Sequence, residues 1–440
     1  MSLATPPKLR RLHEALYTKA KQAPAYRFSL LYDKVYRADI LAHAYALSRQ
    51  HGRAPGVDGV TFEDIEKQGL SEWLAALQKE LHDKRYRPGA VRRVMIPKPG
   101  GGERPLGIPT IRDRVAQTAA KLILEPIFEA DFVDGAYGYR PRRSATDAVQ
   151  EVHETICQGY TDVVDADLSK YFDTIPHREL MRSVARRVVD RQMLRTIRMW
   201  LKTPVEERDE QGRRRMRGGR DSKMGTPQGG VISPLLANIY MHRFLRYWEQ
   251  EGQGERFRAK VINYADDFVI LSRGHAREAL EWTRGVMNKL KLTLNDSKTC
   301  IRNARREPFH FLGYTFGPAC YTRTGSRYLA AQPSAKSLKR LKEKLHDVLH
   351  RGNVAPWTEV VECVNRMLRG WANYFHYGTQ SKAYRAIDNY VYHRAVRMLK
   401  KRHKVSSRGT RKFPGEKVFG ELGIQRLRSL RTSKRPCALA

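Results

Sequence analysis

Hydrophobic positions recur at three- and four-residue spacing over much of this 440-residue chain and form short strand-like runs near its middle. The first 50 residues carry helical periodicity interleaved with basic side chains, as in "LLYDKVYRADILAHAYALSRQ". "GRAPGVDGV" then interrupts the pattern, because Gly and Pro at that density do not continue a helix. "VRRVMIPKPGGGERPLGIPT" predicts two short strands around a Gly-rich turn, a basic hairpin whose first strand is limited by Pro97 and Pro99. "RVAQTAAKLILEPIF" and "DAVQEVHETIC" predict amphipathic helices, while "TDVVDADL" and "KVINYADDFVIL" predict strands in the same middle region. Helices and strands mixed without a βαβ rhythm predict an α+β domain.

From Ser337 onward the pattern is helical throughout. Leu338, Leu341, Leu345 and Leu349 begin one helix. Val360, Val364, Met367, Leu368 and Trp371 line a second after Pro356, and a third runs from about Lys382 to Lys401. This predicts a separate helical domain, with the polar, basic "KKRHKVSSRGTRKFPGEK" as a mobile loop.

Charge sharpens the picture. Lys and Arg number 82 against 46 Asp and Glu, a formal +36, which is far more than solubility requires and points to a polyanionic partner. Residues 321–440 hold about 27 basic and about 7 acidic side chains, so the excess grows toward the end. No apolar run reaches the roughly 18 residues of a membrane span, and "MSLATPPKLRRLHEAL" lacks a signal peptide's apolar core. The expectation is a cytoplasmic protein with no membrane partner. Cys157, Cys300, Cys320, Cys363 and Cys437 form no CxxC pair, which argues against a disulfide framework or a zinc site and leaves core or incidental thiols.

"NYADDFVIL" places Asp266 and Asp267 within an otherwise apolar run, where burying two free anions costs several kcal/mol each unless a cation offsets them. A second acidic stretch, "VVDADLSKYFDTIPH", puts Asp165 and Asp167 at the end of another β-rich run. Three carboxylates from two neighbouring strands would hold two Mg²⁺ ions, hard cations suited to oxygen ligands. Asp165 and Asp167 share one strand face, so spacing does not choose between them. Either pair alone reads equally as a solvated or Arg-paired turn.

With these stretches in view, the chain resembles the reverse transcriptases, and specifically the group II intron reverse transcriptase/maturases. "YADD" is similar to the family's active-site box, "DADLSKYFD" to its first aspartate motif, and "GTPQGGVISPLLANIYMHRF" to the motif between them; "NDSKT" and "FLGYTF" continue the order. The resemblance implies a right-hand polymerase fold of fingers and palm with an α-helical thumb, called domain X in the maturases. It assigns the metal-binding triad to Asp167, Asp266 and Asp267, leaving Asp165 as a neighbour. Phe172 becomes an aromatic gate beneath the sugar, leaving no room for a 2′-OH, or else an ordinary core ring. Lys98 and Arg104, with Arg114 as a weaker candidate, are assigned to the incoming triphosphate, Gln228 to the sugar or base, and Lys298 to the triphosphate or the leaving pyrophosphate. Lys98, Arg104 and Lys298 read otherwise as surface cations, and Gln228 as part of a helix N-terminal turn.

Phe311, Leu312 and Gly313 resemble the primer grip, which could equally be packing between palm and thumb. "MLRGWANYFHYG" resembles the thumb. Trp371, Tyr374 and Phe375 read there as a core stripe, and Arg366, Arg369, Lys382 and Arg385 as RNA contacts through phosphates. The expected organisation is a basic helical extension over 1–59, fingers and palm over 60–325, thumb over 330–415, and over 416–440 a short basic tail that is a candidate DNA-binding segment. The end of the chain lacks the Cys-containing HNH endonuclease of many longer members, so a primer is expected from elsewhere, such as a replication fork. The implied activity is RNA-directed DNA synthesis from dNTPs on an RNA template and DNA primer or target. The implied partner is the parent group II intron RNA, whose splicing and retrohoming the protein would assist; the oligomeric state is open. The alternatives are a polymerase co-opted by its host for defence or spacer acquisition, and a splicing factor with a vestigial site, against which the intact acidic residues argue.

Overall fold

The computed structural model describes residues 3–52, 54–97, 102–208, 211, 213–227, 229–321 and 324–430. Along the chain the strands are β1 (Val91–Pro97), β2 (Glu103–Ile108), β3 (Asp162–Asp167), β4 (Val205–Arg208), β5 (Arg214–Arg217), β6 (Ala259–Tyr264), β7 (Asp267–Ser272), β8 (Cys300–Asn303), β9 (Phe309–Phe311), β10 (Tyr314–Cys320) and β11 (Arg327–Pro333). They form three sheets, ordered β2-β1-β4-β5, β6-β7-β3-β8 and β11-β10-β9. The expected basic hairpin is β1 with β2, antiparallel, with Ile96 opposite Arg104.

The central sheet is covered on both faces, which explains why its strands read as near-continuous apolar runs. On one face Val164, Ala166, Phe268 and Ile270 join a core with Phe244 and Val286, from the helices Ser233–Gln250 and Ala276–Lys289. On the other, Val163, Val269 and Leu271 pack with Val149, Val152 and Ile156 of the helix Ala145–Cys157. The same cluster takes in Phe309, Phe311, Tyr314 and Phe316 of the three-stranded sheet. Because side chains alternate along a strand, Asp165, Asp167 and Asp267 share the face of Val163 and Val269.

The apolar run through "KVINYADDFVIL" is a hairpin rather than one strand. β6 and β7 are joined by Ala265 and Asp266 with Tyr264 opposite Asp267, so the acidic pair sits at the tip. Ala265 has φ +61°, a left-handed conformation that a non-glycine residue adopts only when its surroundings hold it.

The N-terminal helices Pro7–Gln22 and Ala38–His51 do not stand apart as the expected extension. Leu9, Leu16, Ile40 and Leu41 share one core with Val115, Ala119 and Ile123 of the helix Ile111–Glu129. The helical region forms as expected, from Ala335–Val348, Trp357–Tyr374 and Ser381–Arg402 around Leu345, Val364, Leu368 and Ile387. Its core continues past the expected boundary at 415, through Val418, Ile424 and Leu427. Within the stretch expected to be a mobile loop, Phe413 is buried in this core. Among the described residues no helix is long and apolar enough to cross a membrane.

Candidate active site

Two antiparallel strands bring the acidic motifs together. In the β3–β7 register Asp167 lies directly opposite Asp267, and the turn places Asp266 next to it. The turn is held from two sides. Asn263 donates from Nδ2 to the carbonyl of Ala265 at 2.9 Å. The segment Gly135–Tyr137 pairs with Asn263 along the free edge of β6, through Asn263 N–H to Gly135 O and Tyr137 N–H to Asn263 O, both at 2.8 Å. Gly138 completes the clamp: a β-carbon there would lie 2.3 Å from the backbone nitrogen of Ala265, so only glycine permits this approach.

Four carboxyl groups crowd this corner. The surrounding protein and the charges of Asp266, Asp167 and Asp165 push the Asp267 carboxyl up to about 7, against an opposing pull from Lys298. Asp267 is nevertheless open to solvent at the mouth of the site. Asp165 is pushed up to about 6, mainly by burial, with Arg302 opposing.

Lys298 approaches Asp167 rather than open space. Its Nζ lies 2.9 Å from Asp167 Oδ2, and that hydrogen bond raises the ammonium's pKa. Asn295 donates to the same oxygen at 3.3 Å, and its backbone N–H donates to the Asp167 carbonyl at 2.8 Å.

Among the described residues no three acidic, histidine or cysteine side chains are gathered tightly enough to hold a metal ion as they stand. The donor chemistry still fits a hard divalent cation, because three aspartates meet at one sheet corner and their crowded charge is what such an ion relieves.

Phe172 follows β3 on the short helix Tyr171–Thr174 and is 6% exposed. The backbone N–H of Thr226 donates to its carbonyl at 2.7 Å, which ties the loop preceding Gln228 to Phe172. Past that residue, a β-carbon on Gly229 would lie 2.1 Å from the Gly107 carbonyl, so the loop also presses on β2 of the hairpin. Arg104 stands exposed on β2. Lys98 and Gln228 lie outside the described residues.

Arg114 does not reach this space. It is buried, donates from Nε to Pro109 O at 3.0 Å and from Nη1 to Gly52 O at 2.9 Å, and thereby ties down the Gly- and Pro-rich break after the N-terminal helices. A corrected role follows: Arg114 is structural.

Tyr139 is the residue that motif reading missed. It has φ +55° and is 46% exposed, and its ring meets Phe172 edge-on at 6.4 Å between centroids. Its phenol is raised by partial burial and then by Asp266, with Arg104 opposing, so it lies within the field of both. The clue was "YGYRP", an aromatic residue between a glycine and an Arg-Pro pair. Arg140 anchors it, through Glu129 and the carbonyls of Val133 and Ala136.

The turn Leu312–Gly313 joins β9 to β10, with both residues at positive φ. Phe311 is buried, as packing between palm and thumb requires, whereas Gly313 is exposed. Tyr374 Oη donates to Leu312 O at 2.8 Å and Ser337 Oγ to Gly313 O at 2.9 Å, so the helical domain fixes the turn. A groove of about 530 Å³ opens there, lined by Gly313, Arg340, Lys344, Arg366 and Trp371. Arg369, Lys382 and Arg385 are exposed on the helical domain outside that groove.

Residues 96–316 match the family described as reverse transcriptase (RNA-dependent DNA polymerase), and residues 338–413 match the group II intron maturase-specific domain. Protein YkfC of Escherichia coli K12 is 35% identical over 340 residues, covering 69% of this chain and 87% of that protein. The group II intron-encoded protein LtrA of Lactococcus lactis subsp. cremoris is 28% identical over 352 residues, covering 65% of this chain and 56% of LtrA. This chain therefore spans little more than half of LtrA's length. A telomerase structure from Candida albicans overlaps 80% of this chain and 67% of that one at 12% identity, with a TM-score of 0.45. The chain belongs to the reverse transcriptase family, and within it to the group II intron reverse transcriptase/maturases.

Proposed function

We propose that this chain is the RNA-directed DNA polymerase of a group II intron, extending a DNA primer on an RNA template, and that it also binds the intron RNA to assist splicing and retrohoming by target-primed synthesis. The observation that carries the reading is the placement of Asp167 opposite Asp267 with Asp266 at the turn, within a chain of this family.

Asp167, Asp266 and Asp267 are the residues that would hold two Mg²⁺ ions. Bound there, the ions supply charge stabilisation for the attacking and leaving oxygens of phosphoryl transfer. The chain's own groups do the positioning. The Phe311–Gly313 turn, fixed by Tyr374 and Ser337, holds the primer end so that its 3′-hydroxyl is oriented. Arg104 and Lys98 neutralise the triphosphate, and Gln228 reads the sugar or base. The Phe172 ring, backed by Tyr139, fills the space that a 2′-OH would need. Lys298, released from Asp167, is a cation within reach of the leaving pyrophosphate.

Exposed Arg366, Arg369, Lys382 and Arg385, with the basic N-terminal helices, supply phosphate contacts for intron RNA. Purifying the protein from its host at low salt and sequencing the bound RNA tests the intron assignment. One dominant structured RNA whose ends match splice junctions supports it. A mixed population, or none, contradicts it.

A further inference from the structure

The helix His177–Ala185 and the residue capping it carry Arg178, Arg182 and Arg186 at four-residue spacing, all three exposed. Residues four apart share a helix face, so the guanidiniums form a ridge about 12 Å long at about 1.5 Å per residue. The opposite face, through Leu180 and Val184, is locked into the core, which fixes the ridge in orientation. Like charges at this spacing repel; of the nearby carboxylates, Glu179 pairs with Lys291 at 3.1 Å while also feeling the charge of Arg182, and Asp131 pairs with Arg187 at 3.2 Å. The three positive charges are therefore only partly offset within the isolated chain.

Basic grooves flank it on both sides. One, of about 940 Å³, lies against the helix Ser233–Gln250 and the segment after the first helix, and brings in Lys21, Arg27, Arg243 and Arg246. The other, of about 890 Å³, brings in Arg198, Lys202 and Lys223 over the apolar side chains of Leu194 and Met224. Arg182 lines both. None of Asp167, Asp266, Asp267, Phe172 or Tyr139 lines either, and the second groove comes nearest to them at Thr174, the last residue of the short helix that carries Phe172.

We propose that the Arg178–Arg182–Arg186 ridge and its two grooves form a second nucleic-acid site that seats the phosphodiester backbone of a duplex. A row of forked guanidiniums matches a polymer with regularly repeated phosphates, each able to accept two parallel hydrogen bonds. Cations on both sides of the row suit a ligand that is negative along both edges, as a duplex is. The site lies outside the primer-grip groove and outside the helical domain, and it meets the basic N-terminal helices at Lys21. RNA and DNA duplexes share this chemistry, and the experiment separates them.

The test compares the full chain with its R178Q/R182Q/R186Q variant for binding to a hairpin RNA and to a DNA duplex of equal length over a range of salt. Primer extension is measured in parallel at saturating primer–template. The expected result is a loss of about tenfold or more in affinity for at least one of the two, with a log–log salt slope shallower by about two to three, and an unchanged extension rate. Whichever duplex is lost is the ligand. Unchanged affinity and slope for both would overturn the proposal, as would an extension rate that falls in step with binding, since that would put the ridge in the polymerase cleft. If the triple variant does not fold, R182E, at the junction of the two grooves, decides the question by the same readouts with a smaller change.

Discussion

Lys298 bridges to the carboxylate of Asp167, with Nζ 2.9 Å from Oδ2, so the aspartate that pairs across the sheet with Asp267 already has a cation on it. A metal ion bound at the triad and this ammonium compete for the same oxygen. Both partners are partly solvent-exposed, so the bridge contributes at most about 1 kcal/mol. Lys298→Ala is expected to lower the Mg²⁺ concentration for half-maximal extension by up to about fivefold, read from a Mg²⁺ titration. An unchanged midpoint would mean that the bridge does not compete.

The Asp267 carboxyl, pushed up to about 7, ties metal affinity to pH. Below that value a proton occupies the group, so the Mg²⁺ requirement is expected to rise as pH falls from 8 to 6, by at most about tenfold per unit. Mg²⁺ titrations at several pH values check this.

The same group has a stability sign. Its folded pKa exceeds its unfolded value, so the folded state binds the extra proton, and metal-free stability falls as pH rises from about 4 to about 7. His242 acts in the opposite direction: burial holds its imidazole down to about 4, so stability rises with pH from about 4 to about 6.5. The two partly cancel in the native chain. Asp267→Asn removes one of them, and its melting temperature is expected to gain on the native chain's as pH rises through that window. A constant difference across the window would contradict the assignment.

The carboxylate triad was legible because three short motifs kept their order, and the helical domain because its leucines and valines kept their period. The hairpin tip was less so: Tyr264-Ala265-Asp266-Asp267 contains no glycine or asparagine at the turn, and its left-handed Ala265 is held by Asn263 and by contacts from Gly135 to Gly138, far away in sequence. The Lys298–Asp167 bridge spans 131 positions and leaves no local trace. The helical domain's extent was misjudged because Pro414-Gly415 reads as punctuation, while Val418, Ile424 and Leu427 have no helical period, although all three are buried. Arg114 looked available in a basic stretch, and only the folded chain reveals that backbone carbonyls take up its guanidinium.

Gly138→Ala is expected to cost roughly 1–3 kcal/mol and to displace the acidic turn, because the added carbon meets the backbone of Ala265 rather than a movable side chain. Thermal unfolding together with extension rate measures both effects; a variant with native stability and rate would show the clamp to be slack.

If Phe172 is the gate proposed above, Phe172→Val opens the space under the sugar. Incorporation of ribonucleotides relative to deoxyribonucleotides is expected to rise by about 10- to 200-fold, measured as the ratio of kcat/KM for matched substrates. No change would return Phe172 to the status of a core ring.

The central claim is that Asp167, Asp266 and Asp267 perform the polymer chemistry while other surfaces bind RNA. Asp266→Asn separates the two most directly, because Asp266 sits at the turn and is not part of the buried core. Primer extension is expected to be abolished, with RNA affinity within about twofold of the native chain. Extension that survives, or RNA binding lost in equal measure, would contradict the account.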